Sequence, residues 1–166
     1  MTTDPNWIAD ARRELLGLRG RGRSWGYRRA SSPCSEPTAL AALALLATQR
    51  HGLAPDETAT ACQAAAAWLA DNQQSDGSVG VSQSVSKPGW MTPYAMLLWS
   101  ALGGGWNRPR ARAVTWLDSQ KGTTVNPLDN LDRVAGHDTT LVGWPWVAET
   151  HSWLEPTALA VLALSR

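Results

Sequence analysis

Two glutamates occupy positions where a carboxylate could do chemistry. Glu36 and Glu155 each stand directly before a proline that opens an Ala/Leu run. Glutamate is not among the preferred helix caps, so its repeated use there marks a carboxylate held in one place. Such a group can accept amide hydrogen bonds near a helix N-terminus or pair with an arginine such as Arg28. It can also act as an acid at the rim of a ligand site. Asp138 is the third candidate acid, beside His137, whereas Asp129 and Asp132 read as solvent-facing loop residues. Tyr27, Tyr94, Trp146 and Trp153 are the candidate walls of an apolar cavity. Aromatic faces suit apolar ligands, and they attract a desolvated cation by about 2 kcal/mol or more.

Cys34 and Cys62 stand 28 residues apart without a CxxC pair, and His137 and His151 flank the Trp144/Trp146 turn without ligand spacing. This pattern predicts free thiols, no metal site and no cofactor, in a reducing, cytoplasmic setting. Cys34 reads as a small buried residue.

The elements that must position these groups follow from an internal repeat. Ser24-Trp25-Gly26-Tyr27 followed by Glu36-Pro37-Thr38-Ala39-Leu40 returns as Gly143-Trp144-Pro145-Trp146 followed by Glu155-Pro156-Thr157-Ala158-Leu159. Every matched position is offset by 119 residues. A degenerate third copy lies between them. Ser78-Val79-Gly80 replaces the aromatic turn, and Thr92-Pro93-Tyr94 is aligned with Glu-Pro-Thr, with a spacer two residues longer. Repeats take precedence over local propensity in assigning a fold. The chain is therefore predicted to be one domain, 1–166, of three units at about 5–52, 53–105 and 106–166.

Six helices are expected in three pairs. Asp4-Pro5 opens the first, with Trp7, Ile8, Ala11, Leu15 and Leu18 at helical spacing. Pro37 opens the second with Glu36 as its cap, Pro55 the third, Thr92-Pro93 the fourth, Asn107 the fifth and Pro156 the sixth with Glu155 as its cap. In each pair an amphipathic helix leads through an aromatic loop into an Ala/Leu helix, the alternation of an all-α toroid or solenoid. The stretch from Lys121 to Gly143 is the least regular.

Composition excludes several classes. A net charge of +1 gives no field for nucleic acid, although seven of the fifteen Lys/Arg lie between Arg12 and Arg29. No run approaches the roughly 18 apolar residues of a membrane span, and the N-terminus has no apolar leader core. Ten tryptophans and no phenylalanine form the unusual balance, and half of the tryptophans fall at the repeat's turns or helix starts.

The outer-helix ends Leu69-x3-Gln73-x3-Gly77-x-Val79 and Trp116-x3-Gln120-x-Gly122, with Glu-Pro-Thr-Ala-Leu after each full turn, resemble the prenyltransferase and squalene-oxidase repeat group. That superfamily includes squalene–hopene cyclases and the β subunits of protein prenyltransferases. The resemblance runs from about Leu15 to Leu164, with Arg19 in place of the first glutamine and Val79 in place of the second tryptophan. It implies a ring of twelve helices around an apolar cavity, of which this chain supplies half. The cyclases' clustered-aspartate acid is not matched, since His137-Asp138-Thr139-Thr140 carries one carboxylate. The transferases' zinc set is not matched either, because neither cysteine has an aspartate two residues before it.

Three functions follow as expectations. The first is a binding module for an apolar, isoprenoid-like ligand or a partner surface. The second is a diverged cyclase or transferase drawing on Glu155, Asp138 or Glu36. The third is a fragment of a larger toroid. A half ring implies a homodimer that closes it or a missing C-terminal half.

Overall fold

In a computed structural model, residues 6–19, 23–49, 55–124, 138 and 140–166 are described. The expected Asp4-Pro5 helix start, His137, Asp129, Asp132 and most of the irregular stretch lie outside these residues. Six α-helices are present among them: α1 (Trp7–Gly17), α2 (Ser35–Gln49), α3 (Pro55–Asp71), α4 (Thr92–Leu102), α5 (Asn107–Ser119) and α6 (Leu154–Leu164). The described residues form no strand, only isolated bridges such as Val79 with Trp90. The protein is all-helical. None of these helices is long and apolar enough to cross a membrane.

The helices stack by type. α4 lies between α2 and α6, so the Ala/Leu helices form one row. α1 and α3 pack on α2, α3 also touches α4, and α5 packs on α4. The small side chains explain the close row: Ala39, Ala42, Ala95, Ala160 and Ala163 are fully buried, which lets neighbouring backbones approach. Trp99, Leu45, Leu69, Met96 and Leu98 fill the larger spaces. The Trp99 indole N–H donates to the Ala66 carbonyl at 3.1 Å, so its polar edge is satisfied inside the core.

The helix starts differ from expectation. α2 begins at Ser35 and α6 at Leu154, which puts Glu36 and Glu155 inside the first turn and not in the cap position. Pro37 and Pro156 become third helical residues, where no intrahelical N–H is lost. Tertiary bonds outweigh the pre-proline preference for extended backbone at α2. The Ser35 N–H donates to the Val81 carbonyl at 2.8 Å and its hydroxyl to the Gly80 carbonyl at 2.6 Å. Asn72, at the end of α3, donates to the same hydroxyl at 3.1 Å. Thr92 likewise is the first residue of α4 and not its cap, and Gly103 ends that helix at φ +79°.

Cys62 is fully buried and donates its thiol to the Ala42 carbonyl at 3.4 Å. Burial pushes the thiol up to about 11, only partly opposed by Arg19. A raised acid favours the folded state below its unfolded value and loses that contribution as pH climbs toward the folded one. Thermal stability is therefore expected to fall between about pH 9 and pH 11, and to fall less in Cys62→Ala. Melting curves across that range check this; equal losses in both proteins would assign the alkaline fall to other groups.

Candidate functional site: the tryptophan turns and their cavities

Each repeated phrase folds into a clasp. The Trp25 N–H donates to Thr38 Oγ1 at 3.0 Å, and the Thr38 hydroxyl returns a bond to the Trp25 carbonyl at 3.1 Å. Trp144 and Thr157 repeat this at 2.9 and 3.4 Å. The residue nine after each tryptophan closes the loop: the Cys34 N–H donates to the Trp25 carbonyl at 2.9 Å, and that of Trp153 to Trp144 at 3.1 Å. The indoles then reach back to the outer helices. Trp25 Nε1 donates to Leu15 O and Trp144 Nε1 to Leu117 O, both at 2.8 Å. Both acceptors lie in the last turns of α1 and α5, where carbonyls lack the regular i+4 amide; the Leu117 carbonyl also accepts the Gln120 N–H at 3.1 Å.

The middle copy shares the backbone half of the clasp, with a corrected register. The Val79 N–H donates to Thr92 Oγ1 at 2.9 Å. The tryptophan-position-to-threonine spacing is then 13 residues in all three copies, so Thr92 matches Thr38 and Thr157, and Trp90 takes the place of the glutamates. The longer spacer inferred by aligning prolines does not exist. Val79 has no indole, and Gln73 supplies the tie between outer helices. Its amide donates to the Gly77 carbonyl at 3.0 Å and to Pro109, in the first turn of α5, at 2.8 Å. In the third copy the insertion is bridged: the Gly122 N–H donates to the Gly143 carbonyl at 2.9 Å and that of Thr123 to Thr150 at 2.9 Å. His151 Nδ1 lies 3.2 Å from the Thr123 carbonyl, so the histidine belongs to this bridge.

Between the second and third turns lies a cavity of about 410 Å³. Trp90, Trp116, Trp144 and Trp146 line it, and Asp76 and Lys87 are the charged residues in its wall. Trp90 meets Trp146 edge-on, with centroids 4.7 Å apart at 89°, and meets Tyr94 at 6.1 Å and 68°. Of the sequence-predicted aromatics, Trp146 is therefore in this wall and Tyr94 is buried behind Trp90. Trp153 is 49% exposed and belongs to neither cavity lining. Trp90 and Trp116 were not singled out as ligand residues. A common 13-residue spacing from turn to threonine was the available signal for Trp90.

A second cavity of about 470 Å³ sits at the first turn, with Tyr27, Glu36 and Leu40 in its lining. The Tyr27 hydroxyl donates to the Glu36 carboxylate. Burial first, then that carboxylate, pushes the Tyr27 phenol far up. Tyr94 is raised by burial and then by Glu36 and Glu155, so the acids of the outer two copies both act on the phenol of the middle one. Cys34 is partly buried, and burial with Glu36 pushes its thiol up, which suits a packing role more than a nucleophile. Asp138 accepts from the Thr140 N–H at 2.9 Å and hydroxyl at 2.6 Å, closing its own turn. Among the described residues, no three His, Cys, Asp or Glu side chains are grouped to hold a metal ion.

Comparison with models of known families, with curated proteins and with solved structures gives no match to this chain.

Proposed function

We propose that this chain is a toroid-type repeat module, akin to the squalene-cyclase and prenyltransferase repeats, that holds an apolar isoprenoid-like ligand. The observation that carries the reading is the cavity of about 410 Å³ walled by four tryptophans. Its size falls within the range of small-molecule sites, and its lining is apolar apart from a few polar groups. Further support comes from the row of Ala/Leu helices backed by amphipathic ones, and from the repeated clasp that ties each turn to its own helix pair. Of the three candidate acids, Glu36 accepts the Tyr27 hydroxyl, Asp138 closes its own turn, and Glu155 is exposed on the first turn of α6, outside both cavity linings. Binding without chemistry is the function this arrangement supports best.

Tryptophan fluorescence titrated with farnesol tests it. Saturable quenching is expected, and Trp146→Ala is expected to weaken binding about tenfold, equivalent to about 1.4 kcal/mol. Trp7→Ala, on the exposed face of α1, is the control and leaves affinity unchanged. Linear, unsaturable quenching in the wild type, or equal affinity in Trp146→Ala, would overturn the assignment of this cavity.

A further inference from the structure

α2 and α6 share the string Glu-Pro-Thr-Ala-Leu-Ala-x-Leu-Ala-Leu at an offset of 119, yet they bury opposite flanks. On α2, Ser35, Ala39 and Ala42 are fully buried. Their counterparts on α6 are open: Leu154 is 86% exposed, Ala158 is exposed and Val161 is 54% exposed. The other flank reverses this. Leu40 is 45% exposed and Ala44 is exposed on α2, whereas Leu159 is half-buried and Ala163 fully buried on α6.

The middle helix shows what both flanks do when each has a neighbour. In the register set by the threonine clasp, Pro93 and Met96 match the Ala39/Ala42 flank, and Tyr94 and Leu98 match the Leu40/Ala44 flank. All four are buried. One flank of each repeat therefore faces the preceding helix of the row and the other faces the following helix. The open flank of α6 copies the surface that α2 turns to the second repeat, where Ser35 bonds Val81 and Gly80 and Ala42 accepts the Cys62 thiol of α3. The open flank of α2 copies the surface with which α6 grips α4.

We propose that these two open flanks bind each other between two copies of this chain, head to tail. α6 of one copy docks on α2 of a second copy and continues the row that α2, α4 and α6 already form. The occupant is a second copy because the chain already displays both halves of this interface, each in its covered state, at α2–α4 and α4–α6. The first turn carries a matching contact. Tyr27, 62% exposed, stands at the position of Trp146, which packs edge-on against the preceding repeat at Trp90. The contact is heterologous: two different surfaces meet, so it either closes a ring or extends a chain. This inference rests on the repeat geometry and does not require the ligand cavity.

The test uses two variants, each placing a charge on one open flank: Leu40→Glu and Val161→Glu. Both positions are solvent-facing within one chain, so both variants are expected to keep wild-type helicity by circular dichroism. In sedimentation velocity the wild type is expected to associate, and each variant alone to associate at least about tenfold more weakly, because docking would bury an unpaired carboxylate. An equimolar mixture of the two has one intact flank on each chain. It is expected to form mixed dimers, seen by native mass spectrometry with one variant mass-tagged, and nothing larger. A monomeric wild type at micromolar concentration overturns the proposal. So does association that Val161→Glu abolishes and Leu40→Glu leaves intact, which marks a two-fold α6–α6 contact, or a mixture without mixed dimers. Farnesol quenching persisting in monomeric Val161→Glu, whose position lies outside both cavity linings, separates failure of this interface from failure of the ligand reading.

Discussion

Trp99→Ala is expected to cost about 3–5 kcal/mol, the range for removing a large aromatic from a core that cannot collapse around the gap. Trp99 is 1% exposed, sits on the central helix of the row, and reaches across to α3 with its indole. It is therefore packed by both layers, and neither can follow the truncated side chain without leaving its other neighbours. Domains of this size have about 5–15 kcal/mol in hand. The variant should melt about 6–20 °C below the wild type, at about 2–4 °C per kcal/mol. Trp99→Phe separates most of the packing from the hydrogen bond. It keeps a six-membered ring and removes the pyrrole part together with the bond to Ala66, so a smaller loss of about 1–3 kcal/mol is expected. Thermal and urea unfolding of the three proteins provide the comparison. Equal losses for the two variants would mean that the indole N–H, and not the volume, holds α3 to α4.

Gly77→Ala is expected to be nearly as damaging for a different reason. Gly77 has φ +99°, and an added Cβ would lie 2.3 Å from the Arg112 carbonyl oxygen. The backbone conformation alone costs a side-chain-bearing residue about 1–3 kcal/mol, and the clash is with backbone, so α5 must shift. The total should reach about 3 kcal/mol or more. Gly103 is the internal comparison. It has φ +79° and ψ −155°, a conformation that favours glycine, but open space around it, so Gly103→Ala should cost only the conformational part, about 1–3 kcal/mol. The two substitutions should also differ in ligand binding. Asp76, Ser78 and Trp116 line the tryptophan cavity around Gly77, so Gly77→Ala should weaken farnesol quenching and Gly103→Ala should not. Similar stability losses at both sites would show that strain and not crowding dominates at Gly77.

The helical class and the alternation of amphipathic with Ala/Leu helices along the chain were legible because periodicity and glycine or proline punctuation report local geometry directly. Their packing partners were not, since α5 packs on α4 and not on α6. The 119-residue offset likewise exposed two of the three clasps before any coordinates. The register of the middle copy was not legible by the same route. Pro37, Pro93 and Pro156 invite alignment, but proline only tolerates a helix start, whereas the threonine hydroxyl makes the bond that sets the turn. Aligning Thr38, Thr92 and Thr157 would have placed Trp90 opposite Glu36 and Glu155 and pointed to its contact with Trp146. Glu36 and Glu155 were expected as caps because a residue before proline usually avoids helical backbone. Ser35 shows why that fails at α2: its bonds to Val81 and Gly80 come from the next repeat, and no local pattern announces them. The partners of the indoles, Leu15 and Leu117, were hidden for the same reason, since the acceptor is a carbonyl and every residue has one.

The two indole bonds span very different lengths of chain. Trp25 reaches a carbonyl 10 residues earlier, and Trp144 reaches one 27 residues earlier, yet both bonds measure 2.8 Å. Lengthening a flexible loop by that ratio costs only about 0.9 kcal/mol in closure entropy. The clasp thus behaves as a rivet through two helix ends, indifferent to how much chain hangs between them. New sequence can be written into that span without loosening the frame, and the third repeat already carries such an addition.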